Sequence, residues 1–333
     1  MIKIAVDAMG GDNAPVEIIK GVNLAIEKYN DIEIHLFGDE LEIKKYLTDS
    51  PRVKVFHAPE FLDMGVEDPI KALRQNPNYS MFQTIKHVKD GNADAIVTAG
   101  PTQGAVVGGT LILRRIKGMK RVAIAPFVPD FSGRTRILLD SGANVEFRPE
   151  HLLDFAVVAS VISKTYFNVE NPKVGLVNIG VEPGKGRQED IDAYELLKNS
   201  QLINFHGNVE PKDMMSTDVD VLVTDGFTGN ILMKSYEGAV KAFSDAIKTE
   251  VKQSLRAKLG GLLMMKAFKN IKGKANPDVV GGAILVGVEG ILIKAHGSSN
   301  AFAFSNAIRQ ARQLAKGDIM SQIRVAIGEL HNE

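Results

Sequence analysis

The chain contains no cysteine, which removes a disulfide framework, a thiolate zinc site and a cysteine nucleophile together. That fits a reducing compartment such as the cytosol. It also lacks any excess of charge: Lys and Arg number 40 and Asp and Glu number 40, so no bulk attraction to nucleic acid is expected and any basic surface must be local. Long apolar runs are missing too. The longest, Gly281 to Ile293, is interrupted by Glu289 and is too short to span a bilayer, and the first residues enter a strand without the basic and apolar regions of a secretory signal. Several catalytic signatures are absent. No G-x-G-x-x-G follows the first strand, and neither G-x-x-x-x-G-K-[ST], G-x-S-x-G nor H-E-x-x-H occurs. This argues against a fingerprint dinucleotide enzyme, a P-loop NTPase, an α/β-hydrolase and a zinc protease. The sequence therefore predicts no cofactor and no bound metal.

What is present describes a globular protein. Of its 333 residues 44% are apolar and 24% charged, and its 31 glycines outnumber its 13 prolines, so glycine is spent on loops rather than on disorder. The length suits roughly two domain-sized units. A single α/β unit over 1–333, built as two lobes sharing one active-site cleft, is expected. No internal repeat, low-complexity tract or flexible linker appears.

One stretch organises the rest. Val221-Leu222-Val223 is a short buried run that stops at Asp225-Gly226, and apolar residues resume at Leu232, Tyr236, Val240 and Phe243. This reads as strand, tight turn and helix. The carboxyl end of a strand is where open α/β sheets place ligands, and a helix start offers unpaired N–H groups to an anion. Thr228 or Asn230 is expected to cap this helix, Gly226 and Gly229 to let backbone approach a ligand, and Lys234 to lie one turn on.

The arrangement recurs. Strands ending at Asp7, Thr98, Asp140 and Asn178 run into Ala8-Met9-Gly10-Gly11-Asp12-Asn13, Ala99-Gly100-Pro101-Thr102-Gln103-Gly104, Ser141-Gly142-Ala143-Asn144 and Ile179-Gly180-Val181-Glu182-Pro183-Gly184-Lys185-Gly186. A further loop, His296-Gly297-Ser298-Ser299-Asn300, follows the strand Ile291–Lys294. These corners are expected to gather on one rim of one sheet. Between them the chain alternates strand and helix, including one strand over Val122–Phe127 and a helix running to Ile116. Such alternation means a doubly wound, mostly parallel sheet with helices on both faces.

The region 250–274 breaks the pattern. It carries Lys252, Arg256, Lys258, Lys266, Lys269, Lys272 and Lys274 against Glu250 alone, a local charge of +6, around Leu259, Leu262, Leu263, Met264 and Phe268. It reads as a basic amphipathic helical hairpin. Its apolar side meets either the core or a partner subunit, or else an anionic lipid surface or acidic protein.

The polar rim is rich in backbone N–H groups, Asn and Thr, with Lys185, Arg187, Lys234 and His296 as its cations. It suits a phosphate-bearing ligand that is itself the nucleophile, because the protein then supplies position and charge stabilisation. On Val6–Asp12, Leu139–Asn144, Asn178–Gly186, Thr224–Asn230 and His296–Ser299, in that order over essentially the whole chain, the sequence resembles the phosphate acyltransferase PlsX family. It departs from that family's pattern at Pro101 and Gln103 and in the residues after Arg74.

The resemblance implies a phosphotransacetylase- and isocitrate-dehydrogenase-like fold. It implies transfer of a fatty acyl group from acyl carrier protein to inorganic phosphate, forming acyl phosphate for a membrane glycerol-3-phosphate acyltransferase in phospholipid synthesis. A homodimer, in the cytoplasm and peripherally held at the membrane, is implied as well. The candidate catalytic residues are Lys185, His296 and Asp225. Candidate substrate contacts are Gly10, Gly11, Asp12, Asn13, Thr102, Asp140, Asn144, Asn178, Thr228, Gly229, Asn230, Lys234 and Ser298. Candidate membrane or partner contacts are Leu259, Leu262, Leu263, Met264, Lys258 and Lys266. Two other classes stand beside this one: an NAD-dependent hydroxy-acid dehydrogenase on a related scaffold, and a non-catalytic membrane-bound scaffold.

Overall fold

Short apolar runs alternating with amphipathic segments give two sheets in the computed structural model, which describes residues 1–274 and 276–331. The first sheet holds β1 (Ile2–Asp7), β2 (Ile32–Gly38), β3 (Val53–His57), β4 (Ala95–Thr98), β5 (Ala123–Ala125), β11 (Ala283–Val286) and β12 (Ile291–Lys294). Its order is β3-β2-β1-β4-β12-β11-β5, parallel except that β11 runs antiparallel to both neighbours. The second holds β6 (Phe127–Pro129), β7 (Thr135–Leu139), β8 (Lys173–Val177), β9 (Asn204–Val209) and β10 (Val221–Val223), ordered β6-β7-β10-β8-β9 with β6 alone antiparallel.

The single strand expected over Val122–Phe127 is thus two strands in different sheets. Pro126 stands between them, and a residue without an N–H cannot continue a ladder. The single rim expected becomes two rims, because the strands that carry the loops divide between the two sheets. The loops after β1, β4 and β12 lie on one sheet, and those after β7, β8 and β10 on the other.

The helices are α1 (Val16–Lys28), α2 (Glu40–Lys44), α3 (Pro69–Gln75), α4 (Ser80–Lys89), α5 (Thr102–Gly108), α6 (Pro149–Phe167), α7 (Gln188–Asn199), α8 (Gly226–Gln253), α9 (Leu255–Lys274), α10 (Pro277–Val280), α11 (Ala301–Lys316) and α12 (Ile319–Leu330). One apolar cluster runs through both sheets. It joins Ile4, Val6 and Ile293 of the first sheet to Leu139, Val174 and Val221 of the second, with Phe155 and Ala159 of α6 and Phe304 of α11. Burying each such large side chain contributes about 1.5–3 kcal/mol, so the two sheets share one core. On the opposite faces, α4 and α5 cover the first sheet around Met81, Phe82 and Ile96, and α8 covers the second through Leu232, Met233 and Tyr236.

Two helix limits differ from expectation. The helix after β4 continues α5 as a wider turn over Gly109–Leu113 and stops there, short of Ile116, because Arg114 takes a left-handed φ of 74°. The basic region is no separate hairpin. The first arm is α8, which starts at the β10 turn, and the chain breaks at extended Ser254 before α9. The arms meet where a Cβ on Gly261 would lie 2.6 Å from Val251 Cγ1. The Lys272 side chain lies outside the described residues.

Candidate active site

The first rim is built from three strands that are neighbours in space and far apart in sequence. β4 pairs with both β1 and β12, so Asp7, Thr98 and Lys294 end adjacent strands. Asp7 is buried and accepts hydrogen bonds from Ser80 Oγ at 2.7 Å, Thr98 Oγ1 at 2.7 Å and the Met9 N–H at 3.2 Å. Burial pushes its carboxyl above the usual range despite these donors. The loop that follows needs glycine. A Cβ on Gly10 would fall 2.4 Å from Asp7 Oδ2 and 2.7 Å from the Gly100 nitrogen, and Gly11 has a φ of +109°.

The loop is then tied to the one after β12. The Asp12 N–H donates to the Gly297 carbonyl at 2.8 Å, and Asn13 Nδ2 donates to the Ser298 carbonyl at 3.2 Å. His296 is exposed, and its Nδ1 meets Ser298 Oγ at 2.8 Å and accepts the Ser298 N–H at 3.3 Å. The neutral ring proton is accordingly assigned to Nε2, the nitrogen left free. Thr102 is exposed at the start of α5.

The second rim is held by carboxylates. Asp140 is fully buried, and its Oδ1 accepts the N–H groups of Ile124, Gly142 and Ala143 at 3.0, 3.1 and 3.0 Å. Its Oδ2 accepts Asn144 N and Nδ2, both at 2.8 Å. These donors occupy both oxygens, so what Asp140 offers a ligand is the shape of the loop. The start of α8 lies directly against it: a Cβ on Gly229 would stand 1.9 Å from the Asp140 carbonyl oxygen.

Asp225, rather than Thr228 or Asn230, caps α8, accepting the Thr228 N–H at 2.8 Å. Thr228 Oγ1 donates to the same carboxylate at 2.7 Å, and Asn230 Nδ2 donates to the Ser141 carbonyl at 3.4 Å. The capping distance favours the residue with non-helical backbone just before the first turn, and that is Asp225. Its other partner is Arg187, whose Nη2 lies 2.6 Å away. Burial raises the Asp225 carboxyl, but the Thr228 and Arg187 donors outweigh it and hold the group below the ordinary value. Arg187, gripped by Asp190 and then Asp225, stays firmly cationic. Asn178 closes the β8 loop, donating through Nδ2 to the Lys185 carbonyl at 2.9 Å. Lys185 and Lys234 are exposed, and among the described residues neither side chain has a hydrogen bond or ion pair.

The two rims approach at one place. Ala143 packs against the apolar cluster that includes Met81 and Ile96 of the first sheet's covered face and Ile124 of β5, and the Ser141 N–H donates to the Ile124 carbonyl at 3.0 Å. Among the described residues no hydrogen bond joins the Gly10–Asn13 loop to Thr228–Asn230. Asp12, Asn13, His296 and Ser298 therefore form one group, and Asp140, Asn144, Asn178, Lys185, Asp225, Thr228 and Asn230 another. Leu259, Leu262, Leu263 and Met264 stand apart from both and are exposed, Leu263 by 80%. No group of His, Asp or Glu able to hold a metal ion occurs among the described residues.

Sequence reasoning took Asp7, Thr98 and Lys294 only as strand ends and Ser80 only as a helix start, and gave none of them a place in the site. For Lys294 a further signal was present: a lysine at the end of the apolar strand Ile291-Leu292-Ile293 shares the face of Leu292, which the helices cover.

The fatty acid synthesis protein family matches residues 2–322. The chain belongs to that family. A phosphate acyltransferase of Acholeplasma laidlawii is 46% identical over 97% of this chain and 98% of its own length, and one from Listeria welshimeri is 41% identical over 99% and 97%. Among solved structures, a phosphotransacetylase from Streptococcus pyogenes covers 95% of this chain and 94% of its own at a TM-score of 0.60 and 15% identity, a likeness of fold alone. The expected α/β scaffold is therefore found in this family member.

Proposed function

We propose that this chain transfers a fatty acyl group from acyl carrier protein to inorganic phosphate, forming acyl phosphate for phospholipid synthesis. The observation that carries the reading is the full-length likeness to relatives named phosphate acyltransferase. The rims agree with it, since they offer glycine-lined backbone and cations for an anionic nucleophile. The same likeness leaves the dehydrogenase and scaffold alternatives without support.

In the proposed reaction an oxygen of hydrogen phosphate attacks the thioester carbonyl carbon, the carbon–sulfur bond breaks, and the phosphate proton passes to the departing thiolate. Phosphate near neutral pH is already substantially dianionic, so a strong general base is not needed. The Gly10-Gly11 and Gly226–Gly229 loops hold the phosphate in a cleft shared by two lobes. Backbone N–H groups or Lys185 meet the developing oxyanion, and His296 or Lys234 offsets charge on phosphate or thiolate. Asp225 orients rather than attacks; its ties to Arg187 and Thr228 support that role. Thr102, Asn144 and Ser298 line the substrate path.

The exposed apolar residues of α9, flanked by Lys258 and Lys266, serve a peripheral contact with anionic membrane or with a partner, in a cytoplasmic homodimer linked to a membrane glycerol-3-phosphate acyltransferase. No described helix is long and apolar enough to cross a membrane. Site roles are tested by Lys185→Ala and His296→Ala: each should lower acyl-phosphate formation from purified acyl carrier protein thioester by ten-fold or more. Full activity in both variants would overturn the assignment.

A further inference from the structure

Lys294 ends β12 opposite Thr98 of β4, and Thr98 in turn donates to Asp7 of β1. The three side chains follow Leu292, Ile96 and Ala5 on the helix-covered face of the sheet, at its carboxyl edge. Asp7 and Thr98 are satisfied. Lys294 is not: among the described residues its half-buried ammonium has no hydrogen-bond acceptor and no ion pair. The backbone N–H groups of Gly11 and Gly297 likewise donate to nothing among the described residues. The two residues are neighbours: a Cβ on Gly11 would be 3.0 Å from the Gly297 carbonyl oxygen, and the Asp12 N–H donates to that same oxygen at 2.8 Å. An ammonium and two N–H groups left open at one strand edge call for an acceptor with several oxygens.

We propose that Lys294 contacts substrate directly, its ammonium binding the phosphate that the Gly11 and Gly297 N–H groups hold at the edge of β1 and β12. This rests on the phosphate acyltransferase reading and names the cation for phosphate within it. Burial lowers the Lys294 ammonium to about 8, with only the Asp12 carboxylate opposing. At neutral pH the group is still mainly charged, and an oxyanion beside it supplies what the protein withholds. Asp12 is exposed and sits 3.3 Å from where a Gly297 Cβ would be, so it flanks the place without filling it.

The test is Lys294→Met, which keeps the stem and removes the charge. KM for inorganic phosphate should rise at least ten-fold, the scale of a charge-assisted hydrogen bond, while KM for the acyl carrier protein thioester stays within two-fold. An unchanged KM for phosphate in a folded, active variant overturns the proposal. Should the variant not fold, wild-type protein decides: pulsed acetylation read by peptide mass spectrometry should label Lys294 more slowly when inorganic phosphate is added, with Lys248 labelling unaffected. Equal labelling overturns it. Failure of the enzyme reading looks different, because wild-type protein would then form no acyl phosphate whatever phosphate does to Lys294.

Discussion

Replacing Asp140 by Asn changes almost no volume and removes one acceptor oxygen, so its effect isolates the hydrogen bonds that shape the second rim. The carboxylate serves five donors, three on Oδ1 and two on Oδ2. The amide must turn its NH2 toward one set, and the better choice strands the two from Asn144. Asn144 Nδ2 keeps its bond to the Val122 carbonyl at 2.6 Å, which leaves the Asn144 N–H as the orphan. One buried unsatisfied donor costs about 1–3 kcal/mol, and the remaining three bonds lose charge assistance. A total on the order of 3 kcal/mol follows, or a fall in melting temperature of roughly 4 °C for a chain of this size. Differential scanning calorimetry measures it directly. Activity should fall as well, since the α8 start rests on the Asp140 backbone. A variant with wild-type melting temperature would refute the reasoning, because the carboxylate would then hold nothing together.

Other outcomes follow from the same geometry. Gly229→Ala should lose about 3 kcal/mol or more in urea unfolding and most of its activity, since its Cβ meets a carbonyl oxygen at 1.9 Å and only a backbone shift relieves that. Asp130 is pushed up by burial, but Ser132, Arg136 and backbone donors hold it down at about 2. A carboxyl lowered on folding stabilises above its unfolded value near 3.8 and loses that contribution as pH falls through about 2, so Asp130→Asn should cost at least about 2 kcal/mol at pH 7 and flatten the loss of stability between about pH 4 and 2. Urea midpoints across that range check it. Leu262→Glu with Leu263→Glu should abolish sedimentation with anionic vesicles while sparing turnover in solution. Unchanged sedimentation would return α9 to a contact within a dimer.

Much of the fold was legible because its signals are local. Val221-Leu222-Val223 before Asp225-Gly226, and Ile4-Ala5-Val6 before Gly10-Gly11, mark strand ends by the switch from buried apolar to glycine. Which sheet each strand joins was not legible, since that depends on pairing between distant segments. Pro126 was visible as a breaker, yet nothing near it says that Ala123–Ala125 pairs with a strand from residue 283 onward. The rim residues were found through their loops. Their individual roles were not, because capping by Asp225 and the ion pair to Arg187 exist only once β8 and β10 lie side by side. Lys294 escaped because its isolation from acceptors is a property of the packed sheet edge.

The central claim is that phosphate is the acyl acceptor. Purified protein should be incubated with acyl carrier protein thioester, with and without inorganic phosphate, and the product trapped with hydroxylamine. Acyl hydroxamate that requires both protein and phosphate, accompanied by free carrier-protein thiol in equal amount, is the predicted result. Thioester left intact in the presence of phosphate, across short and long acyl chains, would contradict it.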